Sequence, residues 1–271
     1  MSCSILEPQK TDFDRVAELY GLGDVESVEY IEEGMINSIY DVRAGEGRFM
    51  VRMFPKDWGE VDEGERPEFK VLDCLNGQDF QYRVPVPLEN PDGGYVSVVG
   101  GRSLWVYRRL EGDTVDSLGV GQIREVGKAL ARYHNAVEGL ELERTGDFFN
   151  FGWLRDRYED MRIEDAEEDV DRFMMENVDY MERMIDRIDG LDFRENVVAA
   201  HSDFHSYNLL FEGERLVGIL DFDNARMRPR IMDVGNAAWH LYIDSKKDLD
   251  DGRLQALIDG YESVNSLTEE E

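Results

Sequence analysis

Apolar positions fall first into a helical spacing and then into short strand-length runs. Phe13, Val16, Leu19 and Tyr20 recur at helical intervals across Thr11 to Tyr20, and Gly21 marks the end. Three strand-like runs follow, Ser27 to Ile31, Ile39 to Ala44 and Arg48 to Phe54. Gly45-Glu46-Gly47 joins the last two as a tight turn, and Glu32 to Ser38 joins the first pair. Glu68 to Leu75 reads as a helix. Gln81 to Pro87 is extended and proline-punctuated, Pro91-Asp92-Gly93-Gly94 is a turn, and Tyr95 to Val99 and Ser103 to Leu110 are again strand-like.

The second half changes period. Gly121 to Glu138 is amphipathic, with Ile123, Val126, Leu130 and Val137 on one face. His134 sits beside that face and reads as a satisfied core histidine. Phe148 to Leu154 is an aromatic loop. Arg155 to Ile188 is heavily charged, with Phe173, Val178, Met181, Ile185 and Ile188 at helix-like intervals. Val197 to Ala200 is a short apolar run, and a polar segment from His201 to Asn208 follows it. Leu209 to Phe211, the turn at Glu212 to Arg215 and the run Leu216 to Leu220 then read as a hairpin. Pro229 ends a loop, Val234 to Tyr242 is helical after Asp233, and Leu254 to Tyr261 is a last short helix.

Composition changes that picture in one respect. The 271 residues can bury a sizeable core, with ordinary apolar content, and no run has transmembrane length. Cys3 and Cys74 are too few for a disulfide framework, and the N-terminus lacks the order of a signal peptide. The expected location is cytoplasmic. The unusual feature is a net charge of −30, with 60 acidic against 30 basic residues. Such a surface argues against nucleic acid or an anionic membrane as a partner. Arg also outnumbers Lys, and an acidic, Lys-poor surface is what a high-salt cytoplasm tolerates, because salt screens the self-repulsion.

Asp203, Asn208 and Asp221 carry the chemistry. The loop and hairpin bring all three to one end of a small sheet. Asp203 is a carboxylate able to accept an attacking hydroxyl's hydrogen bond. The Asn208 amide oxygen, five residues on, and the Asp221 carboxylate, just after the second strand, are hard oxygen ligands suited to Mg2+. A different metal reading takes His201, Asp203 and His205 as zinc or iron ligands of a hydrolase.

The two segments H-S-D-F-H-S-Y-N-L-L-F and I-L-D-F-D-N-A-R-x-x-P-R-x-x-D-V resemble the aminoglycoside phosphotransferase and choline kinase superfamily. More narrowly they resemble its homoserine-kinase-like small-molecule kinases. Ser202 and Ser206 depart from the superfamily's common loop pattern. The resemblance implies an α+β, protein-kinase-like fold of two lobes: a small nucleotide-binding lobe over residues 1–110 and a large catalytic and acceptor-binding lobe over 111–271. It implies an ATP-dependent phosphotransferase that uses Mg2+ and acts on the hydroxyl of a small metabolite. A homoserine-like amino alcohol comes first, an aminosugar or sugar second.

The same resemblance distributes the remaining roles. Asp203 is the base, and Asn208 and Asp221 hold magnesium. The loop between the first two strands lies over the nucleotide, where Gly34, Asn37 and Ser38 offer backbone N–H groups and a hydroxyl to phosphates; a plain hairpin turn is the alternative. Arg52 stands where protein kinases carry a lysine, and Glu68 is its helix partner. Val106 to Arg108 is the hinge beside adenine. Asp233 fixes the catalytic loop by hydrogen bonding. With no G-x-G-x-x-G loop and Arg in place of Lys, a nucleotide-binding pseudokinase with a regulatory or binding role is the alternative.

Overall fold

In the computed structural model, which describes residues 8–31, 37–143, 155–156, 169–189, 196–244 and 251–271, the N-terminal runs build a five-stranded antiparallel sheet. Its strands are β1 (Val25–Ile31), β2 (Ser38–Ala44), β3 (Gly47–Met53), β4 (Ser97–Val99) and β5 (Arg102–Arg108), in the order β1-β2-β3-β5-β4. Helix α1 (Lys10–Tyr20) ends where Gly21 turns left-handed, at φ 64°, and donates its N–H to the Ala17 carbonyl. Phe13, Val16 and Ala17 of α1 pack against one face of the sheet, on Val42, Phe49, Val51, Leu104 and Val106.

Strand alternation sends the neighbouring residues to the other face. Arg52 lies directly across from Trp105, and Phe54, Trp105 and Tyr107 join a second, larger core. Helix α2 (Pro67–Asn76) lays Phe69, Leu72 and Leu75 into that core, with Pro67 in its first turn. The same core continues through Leu118, Ile123, Leu130 and Phe204 to Tyr261. Sheet and helical half are thus joined by one continuous apolar body, on the face of the sheet that carries Arg52.

The helical half contains α3 (Val120–Ala136), α4 (Asp169–Asp189), α5 (Ile231–Asp244) and α6 (Asp251–Glu262). Helices α3 and α6 cross at two glycines. A methyl on Gly127 would stand 2.1 Å from the Leu257 carbonyl oxygen, and one on Gly260 would stand 2.2 Å from that of Arg124. Only glycine allows so close an approach of the two backbones. Val178 and Ile185 of α4 are buried, as their spacing predicts, whereas the aromatic stretch Phe148 to Leu154 lies outside the described residues.

Two small ribbons complete the frame. Strands β7 (Leu209–Glu212) and β8 (Arg215–Ile219) form the expected hairpin. Strand β6 (Val197–Ala200) pairs with β9 (Arg226–Pro229), where the sequence reads as a loop. The reason for the difference is local. Besides the buried Pro229, the stretch Arg-Met-Arg-Pro offers one apolar side chain, the partly buried Met227, and its pairing comes from β6. The segment from His201 to Asn208, which ends in a single 3-10 turn at Ser206–Asn208, is therefore anchored at both ends by strands.

Among the described residues no helix is long and apolar enough to cross a membrane. The net charge of −30 has a direct consequence for stability. At about 0.01 M salt the Debye length is roughly 30 Å and carboxylates repel across the whole molecule; at about 1 M it is roughly 3 Å. The melting temperature is therefore expected to rise from dilute buffer to molar KCl. A flat or falling value across that range would show that surface repulsion is not what limits stability.

Candidate active site

The loop from His201 to Asn208 is held from behind by one buried carboxylate. Asp233, at the start of α5, accepts the backbone N–H of His201 at 2.8 Å and that of Ser202 at 2.7 Å. Ser202 sits at φ 67°, a left-handed conformation uncommon outside glycine, and this clamp holds it there. His134 donates its Nε2–H to Asp233 at 3.0 Å and accepts from the Tyr261 hydroxyl at 2.8 Å, so it is the satisfied core histidine expected. Burial pushes the Asp233 carboxyl up, but His134, His201 and the Ser202 amide outweigh it and leave it below the ordinary carboxylate range. This stabilisation is present above the ordinary carboxylate pKa and is lost as pH falls through the depressed folded value.

His201 is fully buried and both of its ring nitrogens are engaged. Nε2 meets the Leu220 carbonyl at 2.9 Å, and Nδ1 accepts the Asp203 N–H at 3.3 Å. Burial, its largest influence, keeps the ring neutral. That geometry overturns the reading of His201 as a metal ligand, because no lone pair is left to bind a metal. Instead, His201 ties the loop to the residue just before Asp221.

Asp203 and Asn208 are bonded to each other, and Asp221 follows a residue whose backbone is bonded to Asn208. Asn208 donates through Nδ2 to the Asp203 carbonyl at 3.0 Å and to Asp203 Oδ2 at 3.1 Å, and the Leu220 N–H reaches the Asn208 carbonyl at 2.8 Å. Two acceptors on the Asp203 side fix which way the amide faces. Asn208 Oδ1 is thereby left for another partner. Burial raises the half-buried Asp203 carboxyl, but His205 at 3.3 Å, with His201 and His240 beyond it, brings it below the ordinary range. Asp221 follows β8 at φ 59°, again left-handed, with its side chain one-third exposed. An amide oxygen and a carboxylate joined through adjacent backbone suit a hard divalent cation.

On the sheet side, one guanidinium organises the site. Arg52 Nη2 is 2.6 Å from Asp223 Oδ2 and 3.0 Å from Asp221 Oδ1. Burial alone would weaken its charge, but Asp223, Asp221 and Glu68 hold it firmly protonated. Glu68 is not its direct partner, contrary to expectation. Glu68 Oε1 receives Arg66 Nε at 3.2 Å, and burial and the neighbouring Asp223 push the Glu68 carboxyl well above the carboxylate range. Glu68 Oε2 and Asp223 Oδ1 are both buried and receive no donor from another group. Against its burial, the Asp223 carboxyl is held below the ordinary range by Arg52, Arg66 and Asn37, while Glu68 is pushed up beside it.

The remaining predicted residues are distributed more widely. Gly34 lies outside the described residues. The Asn37 side chain donates through Nδ2 to Asp223 Oδ2 at 2.6 Å. The Ser38 hydroxyl accepts from Arg102 at 3.1 Å. Val106 is buried in β5, and its carbonyl accepts the Leu88 N–H at 2.7 Å. Arg108 points to the β2–β3 turn, donating to the Glu46 carbonyl at 3.1 Å and lying over the Phe49 ring. Sequence reasoning missed Asp223 and Arg66 as members of the site. Asp223 lies one strand-repeat beyond Asp221, and Arg66 two residues before Glu68, which was the available signal.

Against known proteins, residues 27–267 match the model of the phosphotransferase enzyme family. A homoserine kinase of Agrobacterium fabrum is 28% identical over 257 residues, covering 93% of this chain and 76% of that protein. A homoserine kinase of Methylobacillus glycogenes is 26% identical over 258 residues, covering 93% and 75%. Among solved structures, an amicoumacin kinase in complex with AMP-PNP and Ca2+ superposes with a TM-score of 0.70 at 14% identity, covering 96% of this chain and 79% of that one. A microcompartment-associated aminopropanol kinase superposes at 0.65 with 18% identity, covering 96% and 82%. These neighbours have the α+β, protein-kinase-like fold, and with a family match spanning most of its length the chain belongs to the phosphotransferase enzyme family.

Proposed function

We propose that this chain transfers the γ-phosphoryl group of ATP to the hydroxyl of a small amino alcohol, with homoserine first among the candidates. The observation that carries this reading is the constellation of an ionised Asp203 bonded to Asn208, with Asp221 one backbone hydrogen bond away. The homoserine kinases among the relatives support the acceptor class. Asp203 accepts the hydrogen bond of the acceptor hydroxyl, orients its oxygen in line with the γ-phosphorus, and takes the proton as the new O–P bond forms and the bond to ADP breaks. Asn208 Oδ1 and Asp221 are the groups that would hold Mg2+, which neutralises phosphate charge when bound. Arg52 lies beside Asp221 and adds a fixed positive charge on the phosphate side. Gly34, Asn37 and Ser38 are assigned to the phosphate cover, and the hinge to Val106 to Arg108, with the boundary between lobes near residue 110.

ADP release measured with homoserine, aminopropanol and an aminosugar tests this directly. Turnover of at least one amino alcohol at about 1–100 per second is expected. Asp221→Ala should abolish the magnesium dependence of ATP binding, whereas Asp223→Ala should lower stability, because Asp223 is buried against Arg52 and Asn37. ATP binding without turnover of any alcohol would reduce the chain to a nucleotide-binding protein. Equal effects at the two aspartates would show that Asp221 is not the metal ligand.

A further inference from the structure

We propose that Asp203, His205 and His240 form a binding site for a divalent transition-metal ion, Zn2+ above all, and that its occupation removes Asp203 from phosphoryl transfer. Each residue presents one ligand atom, and the three lie within 4.8 Å of one another. The imidazole rings of His205 and His240 are tilted against each other, with centroids 4.5 Å apart and planes inclined at 34°. His205 comes from the catalytic loop and His240 from α5, two elements that Asp233 fixes to each other through His201 and Ser202.

One edge of the cluster has the spacing of a tetrahedral ion. Zinc bonds of about 2.0–2.1 Å at tetrahedral angles put neighbouring ligand atoms about 3.3 Å apart. His205 Nε2 and Asp203 Oδ1 already stand at 3.3 Å. His205 Nδ1 is buried without a hydrogen bond. Nε2 stands beside the Asp203 carboxylate and 3.2 Å from the Asn208 amide nitrogen, whose two hydrogens already have acceptors on Asp203. A cation between Nε2 and Oδ1 would take the imidazole lone pair and the carboxylate charge together. Two imidazoles and one carboxylate leave a fourth position for water.

The chemistry differs from that of the phosphate-side cation. Magnesium demands oxygen ligands in an octahedron, whereas imidazole nitrogen selects zinc and its neighbours in the transition series. A chain of net charge −30 also concentrates divalent cations near its surface. The inhibitory consequence rests on the kinase reading of Asp203; the binding site itself does not.

Cobalt, as a coloured stand-in for zinc, separates the two. Chelator-treated and dialysed protein, titrated with Co2+ in the absence of nucleotide, should develop the intense visible bands of four-coordinate cobalt. Zn2+ should bleach those bands, and Mg2+ should not. With MgATP and acceptor saturating, Zn2+ should inhibit turnover. His240→Gln should keep basal activity, lose the cobalt bands and require about ten-fold or more zinc for the same inhibition, the scale of loss seen when a metal site is weakened. His240→Asn, checked by thermal melting, guards against a folding defect in the first variant. Weak six-coordinate spectra, or unchanged zinc sensitivity in both folded variants, would overturn the site. Four-coordinate bands in a protein that phosphorylates no alcohol would uphold the site and sink the kinase reading instead.

Discussion

Asp203→Asn is expected to lower turnover by about 100- to 10,000-fold, the usual contribution of a positioned general base. Nucleotide affinity and melting temperature should change little. The reason is that Asp203 is supported by the loop rather than supporting it. The backbone conformation at His201 and Ser202 is set by Asp233, and the link to the second strand runs through His201 and Leu220. The substitution keeps side-chain shape while removing the charge and the proton acceptor. Steady-state turnover, a thermal melt and an ATP-induced melting shift, taken on the same preparation, decide the matter. A variant that folds, binds ATP and still turns over near the wild-type rate would remove Asp203 from its role.

What the sequence discloses about this site follows from how local each feature is. The D-x-x-x-x-N spacing and the hairpin after it are local; Asp203 is bonded to Asn208, and Asp221 follows a residue whose backbone is bonded to Asn208. Strand alternation is local too: it places Arg52 opposite Trp105, on the face away from α1. The charge partners are not local. Arg52 to Asp223 spans 171 positions and Asn37 to Asp223 spans 186, and nothing in either segment encodes the other. The expected Arg52–Glu68 pair transfers a kinase contact to a chain with a second arginine at position 66, and that arginine takes Glu68.

The same limit explains β9 and the histidine cluster. A strand with one apolar residue besides its final proline has no periodicity to read, and its identity depends on β6 lying alongside. His240 sits in a helix among Trp239, Leu241 and Tyr242, and reads from sequence as an ordinary amphipathic position. Its approach to His205 is a consequence of how α5 docks on the catalytic loop. The glycine crossing of α3 and α6 is likewise invisible until two helices are brought together, since one helical glycine alone signals only weakened propensity.

Arg52→Met should destabilise the fold by about 3–5 kcal/mol, the range for breaking a buried ion pair from one side. Arg52 is almost wholly buried, and its departure strands Asp223, whose next cation, Arg66, is 3.8 Å away. Asp221, one-third exposed, can recover hydration; Asp223 cannot. Arg52→Lys retains a point charge, and because the single nitrogen Nη2 meets both aspartates a shorter-reaching ammonium replaces it only in part, so its loss should be intermediate. The decisive comparison is the double variant Arg52→Met with Asp223→Asn. If the cost of Arg52→Met is chiefly a stranded carboxylate, urea melts should show the double variant recovering stability relative to the single one, a coupling between neighbours that independent sites would not show. Simple addition of the two single losses would mean that Arg52 stabilises the sheet by packing alone. In that case its charge matters only for phosphate, and the ATP affinity of Arg52→Met should fall without any change in melting midpoint beyond that of a packing defect.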